Sequence, residues 1–140
     1  MKKSKTTLRR TLGIVLVQTF NAVYTKSQDY FKEFGMTSQQ YNVLSILAES
    51  PEALSTSAIL EKMVEKNAGV SRLVDRLLAK GLVKKKTSKT DKRLIAVTLT
   101  PEGTQLLAVM NSRLEEIDQV YSALTDAETT ELIRLLQKIS

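Results

Sequence analysis

A run of small and polar residues precedes a basic, amphipathic segment in the middle of the chain. Asn67, Ala68, Gly69, Ser71 and Arg72 combine amide, hydroxyl and guanidinium groups with two residues small enough for close approach to a partner. An arginine can make a bidentate contact to guanine O6 and N7, and an alanine can pack on a thymine methyl group. Free amides at a helix N-terminus attract phosphate. These residue types would suit a base-reading surface if one helix presented them together.

A helix is predicted to do so, beginning at Asn67 as its cap and running to Lys80, with Gly81 in the left-handed position that ends it. At about 100° per residue, the apolar residues fall on one narrow stripe: Val70, Leu73, Val74, Leu77 and Leu78. The opposite face carries Ala68, Arg72, Asp75, Arg76 and Ala79. This face lacks long charged side chains at its first turn, which favours close approach to a DNA groove.

Asp75 is the exception on that face, because phosphate repels a carboxylate. We expect it to orient Arg72, Arg76 or the arginine of the hairpin that follows, Arg93. A plain ion pair on the helix surface, with Arg72 or Arg76, is an equally good interpretation.

Two strands are predicted after the helix, Leu82 to Thr87 and Arg93 to Leu99, joined by a turn from Ser88 to Lys92. The hairpin carries the basic residues Lys84, Lys85, Lys86, Lys89, Lys92 and Arg93, with Asp91 among them. Arg76 and the first four of these lysines are expected to neutralise DNA phosphates. An isolated two-stranded hairpin is only marginally stable in water, so this hairpin must pack against the helix.

The net charge of the chain is +6, and most of it is concentrated. From Lys62 to Arg93 there are eleven basic and three acidic residues, a net charge of +8, which leaves −2 for the rest. This distribution indicates an anionic partner, nucleic acid first and a membrane surface second. The alternative is a set of solvated lysines that maintain solubility.

The composition argues against an enzyme. The chain has no cysteine and no histidine, so it lacks thiolate chemistry, the commonest general base and the commonest metal ligand. It also has no glycine-rich phosphate loop and no clustered carboxylates on one element. We therefore expect no catalytic residue, no cofactor and no metal. With 140 residues and 42% hydrophobic content, the chain can bury one core.

Long helices are predicted on both sides of this segment. The first runs from Thr6 to Phe34, and its start imitates an export signal but lacks the cleavage site and a long apolar run. Thr37 is predicted to cap the second helix, and Thr56 is predicted to cap a short third helix. After the hairpin, Thr100 is predicted to cap a helix that reaches about Ala123, and Thr125 is predicted to cap the last helix. The terminal helices are more apolar than one core needs, which favours a dimer interface; alternatively, they close the core of the monomer. No run is long enough for a membrane span.

The order of these elements resembles the MarR family of bacterial transcriptional regulators. The resemblance rests on three segments in register: VSRLVDRLLAKGLVKK from Val70 to Lys85, the Asp-x-Arg of Asp91 and Arg93, and VTLTPEG from Val97 to Gly103. It implies a mainly α fold with a small two-stranded β-wing. The winged helix-turn-helix core would span 37–100, and the dimerisation helices would be 1–36 and 101–140. Arg93 would enter the minor groove with Asp91 as its support.

The resemblance also implies a function. We expect a cytoplasmic homodimer that binds a pseudo-palindromic operator in double-stranded DNA, as a repressor that responds to a ligand. A small aromatic or anionic effector would bind beside the aromatic residues Phe20, Tyr24, Tyr30, Phe31 and Tyr41, although aromatic residues on helices are more often core residues. The lack of cysteine excludes the peroxide-sensing mode of the family. The alternative function is a winged-helix module whose basic face binds an acidic protein.

Overall fold

The computed structural model describes residues 5–87 and 95–140. Within them the chain is mainly helical with a small antiparallel sheet, as predicted. The elements are α1 (Lys5–Lys32), α2 (Ser38–Glu49), β1 (Leu54–Ser55), α3 (Thr56–Lys62), α4 (Val70–Ala79), β2 (Val83–Thr87), β3 (Ile95–Leu99), α5 (Pro101–Ser112), α6 (Glu115–Asp118), a 3-10 turn (Gln119–Tyr121) and α7 (Asp126–Ile139).

The chain divides into two compact units. The scaffold unit comprises residues 1–27 and 114–140, and the head unit comprises residues 28–113. The head unit extends beyond the predicted segment 37–100 at both ends, because the last turn of α1 and all of α5 belong to it.

Most helix boundaries follow the local signals that predicted them. Thr37 and Gln40 form a reciprocal capping box at α2, in which each backbone amide donates to the other side chain at 3.1 Å. Thr125 and Glu128 do the same at α7, and Thr100 caps α5 ahead of Pro101. Gly35 and Gly81 have φ angles of +67° and +73°. The predicted caps at Thr37, Thr100 and Thr125 and the predicted stop at Gly81 are confirmed.

Two predicted caps are wrong. Asn67 lies in a turn, α4 begins only at Val70, and its cap position is held by Gly69 without a side-chain hydrogen bond. The backbone turns tightly before α4, where the amide of Val70 donates to Ala68 O at 3.1 Å. At α3 the cap is Ser55 and not Thr56, because Ser55 Oγ accepts the amide of Ala58 at 3.1 Å.

The sheet has three strands in the order β1-β3-β2, where two were predicted. β2 and β3 pair over five positions, from Val83 opposite Leu99 to Thr87 opposite Ile95. β1 contributes only Leu54 and Ser55, opposite Val97 and Ala96. Two residues are too few for an alternating pattern, so the sequence did not reveal this strand. It covers one edge of β3.

The helix predicted to reach Ala123 ends at Ser112. A continuing helix would need the Met110 carbonyl to accept the amide of Leu114. That carbonyl instead accepts the Tyr30 hydroxyl at 2.6 Å and the amide of Arg113 at 3.2 Å. The Arg113 guanidinium pairs with Glu33 at 2.9 Å and lies 5.2 Å from the centre of the Phe34 ring. Contacts distant in sequence therefore stop α5.

The core lies in the head unit. Its fully buried side chains include Val43 and Leu44 of α2, Ile59 of α3, Leu77 of α4 and Val97 of β3. Met110 of α5 is also fully buried, and Tyr30 and Phe31 bring the last turns of α1 into the same core. This core fixes α4 against α2 and α3, with the sheet beside it.

The scaffold unit has a different surface. From residue 7 to 27 and from 114 to 140, no described side chain is buried. Large apolar side chains remain exposed on both terminal helices: Leu8, Leu12, Ile14, Val15, Val17, Phe20, Leu132, Ile133, Leu135, Leu136 and Ile139. Leu8 is 63% exposed and Ile139 65%. These residues are outside the core, whereas Tyr30 and Phe31 of α1 and Leu107 and Met110 of α5 are buried in it, so the predicted terminal helices close the core only in part.

Candidate nucleic-acid interface

Helix α4 presents the predicted surface. Val70, Leu73, Val74 and Leu77 are buried, so the helix is fixed with its other side outward. Ser71, Arg72, Asp75 and Arg76 are all exposed on that outer side. The apolar stripe and the polar face are therefore where the sequence placed them.

The approach to α4 keeps small and polar groups at its N-terminal end. Asn67 and Gly69 are exposed and Ala68 is half-buried. The first hydrogen bond of the helix runs from the amide of Leu73 to Gly69 O at 3.1 Å. No side chain caps the helix. The amides of Ser71 and Arg72 thus point out of the helix end, where they could bind a phosphate.

The two arginines of α4 are available to a ligand. Among the described residues, neither Arg72 nor Arg76 has a carboxylate within salt-bridge distance. Both arginines are exposed residues, so their hydrogen-bonding capacity is left for a partner. The predicted pairing of Asp75 with Arg72 or Arg76 is therefore wrong.

Asp75 pairs with the wing strand instead. Its Oδ1 lies 3.4 Å from Lys85 Nζ, with side-chain exposures of 67% for Asp75 and 40% for Lys85. Lys85 was expected to contact DNA phosphate, and sequence reasoning missed its contact with α4. The third partner considered for Asp75, Arg93, lies outside the described residues.

The three lysines of β2 are exposed, and the pleat separates them. Lys85 stands opposite Val97, which is buried, so its side of the strand faces α4 and the core. Lys84 and Lys86 are on the other side, opposite Thr98 and Ala96. The four remaining wing residues, Lys89, Asp91, Lys92 and Arg93, lie outside the described part of the chain.

A contact that sequence reasoning missed fixes where the wing begins. Thr100 Oγ1 donates to Gly81 O at 2.7 Å, and the Thr100 amide donates to Leu82 O at 3.1 Å. Gly103 lies directly against the same peptide, since a Cβ there would overlap Leu82 O and lie 3.0 Å from its carbonyl carbon. Gly103 lies in the first turn of α5, and a glycine at that helical position is the sequence signal that could have indicated this close contact.

A second missed contact involves Lys80, the last residue before Gly81. Its Nζ donates to the carbonyl oxygen of Gly35 and lies 3.9 Å from the sulfur of Met36. The C-terminal end of α4 is thereby joined to the corner between α1 and α2. The orientation of the outer face of α4 depends on this corner as well as on the buried stripe.

The five aromatic residues of the expected effector site divide between the two units. Phe20 is 60% exposed and stacks on Tyr24 in the scaffold unit, with ring centres 5.4 Å apart. Tyr30 and Phe31 are buried in the head unit, with the Tyr30 hydroxyl bonded to Met110 O. Tyr41 is half-buried, contacts the Phe31 ring and donates to Asn111 Oδ1 at 2.5 Å. Tyr30 and Phe31 therefore act as core residues.

Two other kinds of feature, a metal-binding cluster and a membrane-spanning helix, are not found among the described residues. In residues 5–87 and 95–140, no three acidic side chains come together as they would around a metal ion. No helix in these ranges has both the length and the hydropathy of a membrane crossing.

Comparisons with known proteins agree with this geometry. The family model described as MarR family matches residues 34–94. A Thauera aromatica protein, named as a transcriptional regulatory protein for the hcr operon, is 37% identical over 75% of this chain and 63% of its own length. The transcriptional regulator HosA of Escherichia coli O157:H7 is 30% identical over 74% of this chain and 77% of its own length.

Solved structures share the fold over nearly the whole chain. BpsR of Bordetella bronchiseptica, whose DNA binding is regulated by 6-hydroxynicotinic acid, is 27% identical with a TM-score of 0.81, covering 91% of each chain. A cysteine-to-serine mutant of MarR from Escherichia coli, in complex with operator DNA, has a TM-score of 0.83 over 98% of this chain and 99% of its own. Its identity is 20%, so this likeness concerns the fold alone.

Proposed function

Because this chain belongs to the MarR family of transcriptional regulators, we propose that it binds a pseudo-palindromic operator in bacterial DNA as a homodimer and represses transcription until a small effector releases it. The observation that carries the DNA-binding part is the outer face of α4. Its two arginines have no carboxylate partner among the described residues, and β2, which carries three exposed lysines, packs against α4.

The contacts divide by chemistry. Ser71, Arg72 and the approach residues Asn67, Ala68 and Gly69 reach base edges and the nearest phosphate, because they occupy the N-terminal end of α4. Arg76, Lys84 and Lys86 neutralise phosphates on either side, and the wing tip with Lys89, Lys92 and Arg93 reaches the neighbouring groove. Phosphate contacts set affinity and salt dependence, whereas base contacts set sequence preference.

The exposed apolar side chains of the scaffold unit support the homodimer. A helix that is apolar on most of its circumference is usually enclosed by other helices. Leu8, Leu12, Val15, Val17 and Phe20 cover more than one side of α1, and no described residue of the scaffold unit is buried within the chain. Two symmetric heads then require half-sites about one helical turn of DNA apart.

The effector is proposed to be a small aromatic acid. Support comes from BpsR, the 27% identical relative whose DNA binding responds to 6-hydroxynicotinic acid. A thermal-shift screen of aromatic acids, with 6-hydroxynicotinic acid among them, should raise the Tm for at least one compound that also weakens DNA binding. A screen in which no such acid stabilises the protein would contradict this part of the proposal.

The central experiment is selection of bound sites from random duplexes by the full chain. We expect a two-fold symmetric consensus with a fixed half-site spacing, and specific affinity well above that for unrelated DNA at physiological salt. Micromolar or weaker binding without sequence preference would favour the alternative, a winged-helix module that binds an acidic protein.

A further inference from the structure

The outer face of α4 carries one acid in the middle of its basic and polar groups. At about 100° per residue, the direction of Asp75 lies between those of Ser71 and Arg72. A carboxylate at this place meets the negative potential of DNA and reduces phosphate-driven affinity. Because Asp75 lies on the surface that faces the partner, we expect it to make a specific favourable contact that offsets this loss of affinity.

Within the described residues, one carboxylate oxygen of Asp75, Oδ1, has a partner. Its Oδ1 is 3.4 Å from Lys85 Nζ, and this is the interaction that Asp75 makes within the described residues. The side chain is 67% exposed, and its second oxygen, Oδ2, has no partner among the described residues, so it can accept a hydrogen bond from a donor outside the protein. The neighbouring Arg72 and Arg76 make no salt bridge with it, so neither draws the carboxylate along the helix.

Lys85 is placed differently from the lysines on either side of it. Its side chain leaves β2 on the side of the buried Val97, toward α4, whereas Lys84 and Lys86 leave on the opposite side. The ammonium group of Lys85 thus offsets the charge of Asp75 and holds its carboxylate from the wing side. The measured contact is with Oδ1, so Oδ2 remains without a partner among the described residues.

We infer that Asp75 is a base-reading residue, whose free oxygen accepts a hydrogen bond from the exocyclic amino group of cytosine in the major groove, and that Lys85 is its positioning residue. Cytosine fits better than adenine because adenine N7 places a second acceptor beside its amino group, which repels a carboxylate. This inference rests on the proposed function, since it names one base position of the operator.

The test is site selection from random duplexes with matched variants. The unaltered chain should prefer cytosine at one position of each half-site. Asp75→Ala should lose that preference, about tenfold in relative affinity, and keep the preferences at other positions. Asp75→Asn should move the preference to adenine, because the asparagine amide can donate to adenine N7 and accept from its N6 amino group. Asp75 is exposed, so these variants should fold.

Lys85→Met and Lys86→Met separate positioning from simple charge. Both remove one positive charge from β2, and both should weaken binding, whereas Lys86→Met, which removes a proposed phosphate contact, should also flatten its salt dependence. Only Lys85→Met should also blur the cytosine preference, because the carboxylate loses its support. Identical selected motifs for the two variants would overturn the role of Lys85.

The outcomes distinguish this inference from the proposed function. If the unaltered chain selects a symmetric motif and Asp75→Ala selects the same motif with undiminished cytosine preference, Asp75 is only part of a surface ion pair and the inference is wrong. If the unaltered chain selects no motif, the proposed function and this inference fail together.

Discussion

Arg72 occupies the first exposed turn of α4, and its guanidinium has no carboxylate partner among the described residues. A planar group with five donors is suited to guanine, and leaving it unpaired in the free protein avoids the cost of breaking an ion pair on binding. Arg76 likewise has no carboxylate within the part of the chain that the structure describes, but it stands one turn further along the helix, where backbone contacts are expected.

Arg72→Ala should therefore relax sequence preference at one base position, by about 1–3 kcal/mol of discrimination. Arg76→Ala is the matched control, since it removes the same charge from the same face and should weaken binding to all sequences alike. Site selection with both variants measures the difference. An Arg72→Ala protein with full discrimination would show that another residue reads this base.

The pattern of residues predicted most of the outer face but not its pairing. Helical periodicity places Arg72, Asp75 and Arg76 together because it depends only on the rise and turn of the helix. It cannot show that Asp75 turns toward Lys85, because that contact depends on how β2 lies against α4. The same limit concealed the bond from Lys80 to Gly35.

The helix caps were predictable from the sequence, whereas the helix end and the close packing that depend on tertiary contacts were not. Thr37, Thr100 and Thr125 cap helices through bonds to residues three positions away, so the sequence contains the whole signal. The end of α5 depends on Tyr30, which lies eighty residues before the carbonyl to which it donates. The contact of Gly103 with Leu82 is likewise distant in sequence.

Gly103→Ala should destabilise the head unit by about 1–3 kcal/mol, because the new methyl group meets backbone atoms of Leu82 that cannot rotate away. The midpoint of urea unfolding measures the change. Gln105→Ala, at an exposed position of the same helix, should leave the midpoint nearly unaltered. Equal midpoints for the two variants would mean that the peptide of Leu82 moves freely.

The start of α7 should respond to pH through Glu128. Hydrogen bonds from the backbone amide and then the hydroxyl of Thr125 lower the pKa of the Glu128 carboxyl below its ordinary value. Since this pKa is lowered in the folded state, the stabilisation is complete above the ordinary glutamate pKa and is lost as pH falls through the lowered one.

Glu128→Gln isolates this effect, because glutamine keeps the capping geometry, as Gln40 does at α2, but does not titrate. The original chain should unfold at a higher urea concentration than the variant at neutral pH, owing to the negative charge near the helix N-terminus. The difference should shrink toward zero in acid. A difference that is constant with pH would contradict the assignment.

For the whole molecule, the contrast between the two units is the main feature. The head unit has a buried core, whereas the scaffold unit exposes Leu8, Phe20 and Ile139 by 60% or more. The apolar excess of the terminal helices was visible in the sequence. The sequence could not distinguish an apolar helix face that packs inside the chain from one that packs against a second copy of the chain, because both kinds of face have the same helical periodicity.

Leu132→Asp should convert the proposed dimer to monomer, because the charge would be buried against the partner. Sedimentation equilibrium measures the mass, and operator affinity should fall by about a hundredfold or more with the loss of the second head. Thr130→Asp adds the same charge elsewhere on α7 and should remain dimeric. A dimeric Leu132→Asp protein would locate the interface elsewhere.

The division into units also has a consequence for recombination between related genes. The head unit is one continuous stretch, 28–113, flanked by the two stretches of the scaffold unit. Two crossovers, one at each end of this stretch, would therefore transfer the whole head unit, and with it the proposed operator preference, from one related gene to another. Since Tyr30 and Phe31 belong to the head core, the upstream junction must precede them, so that the cassette carries its own last turns of α1.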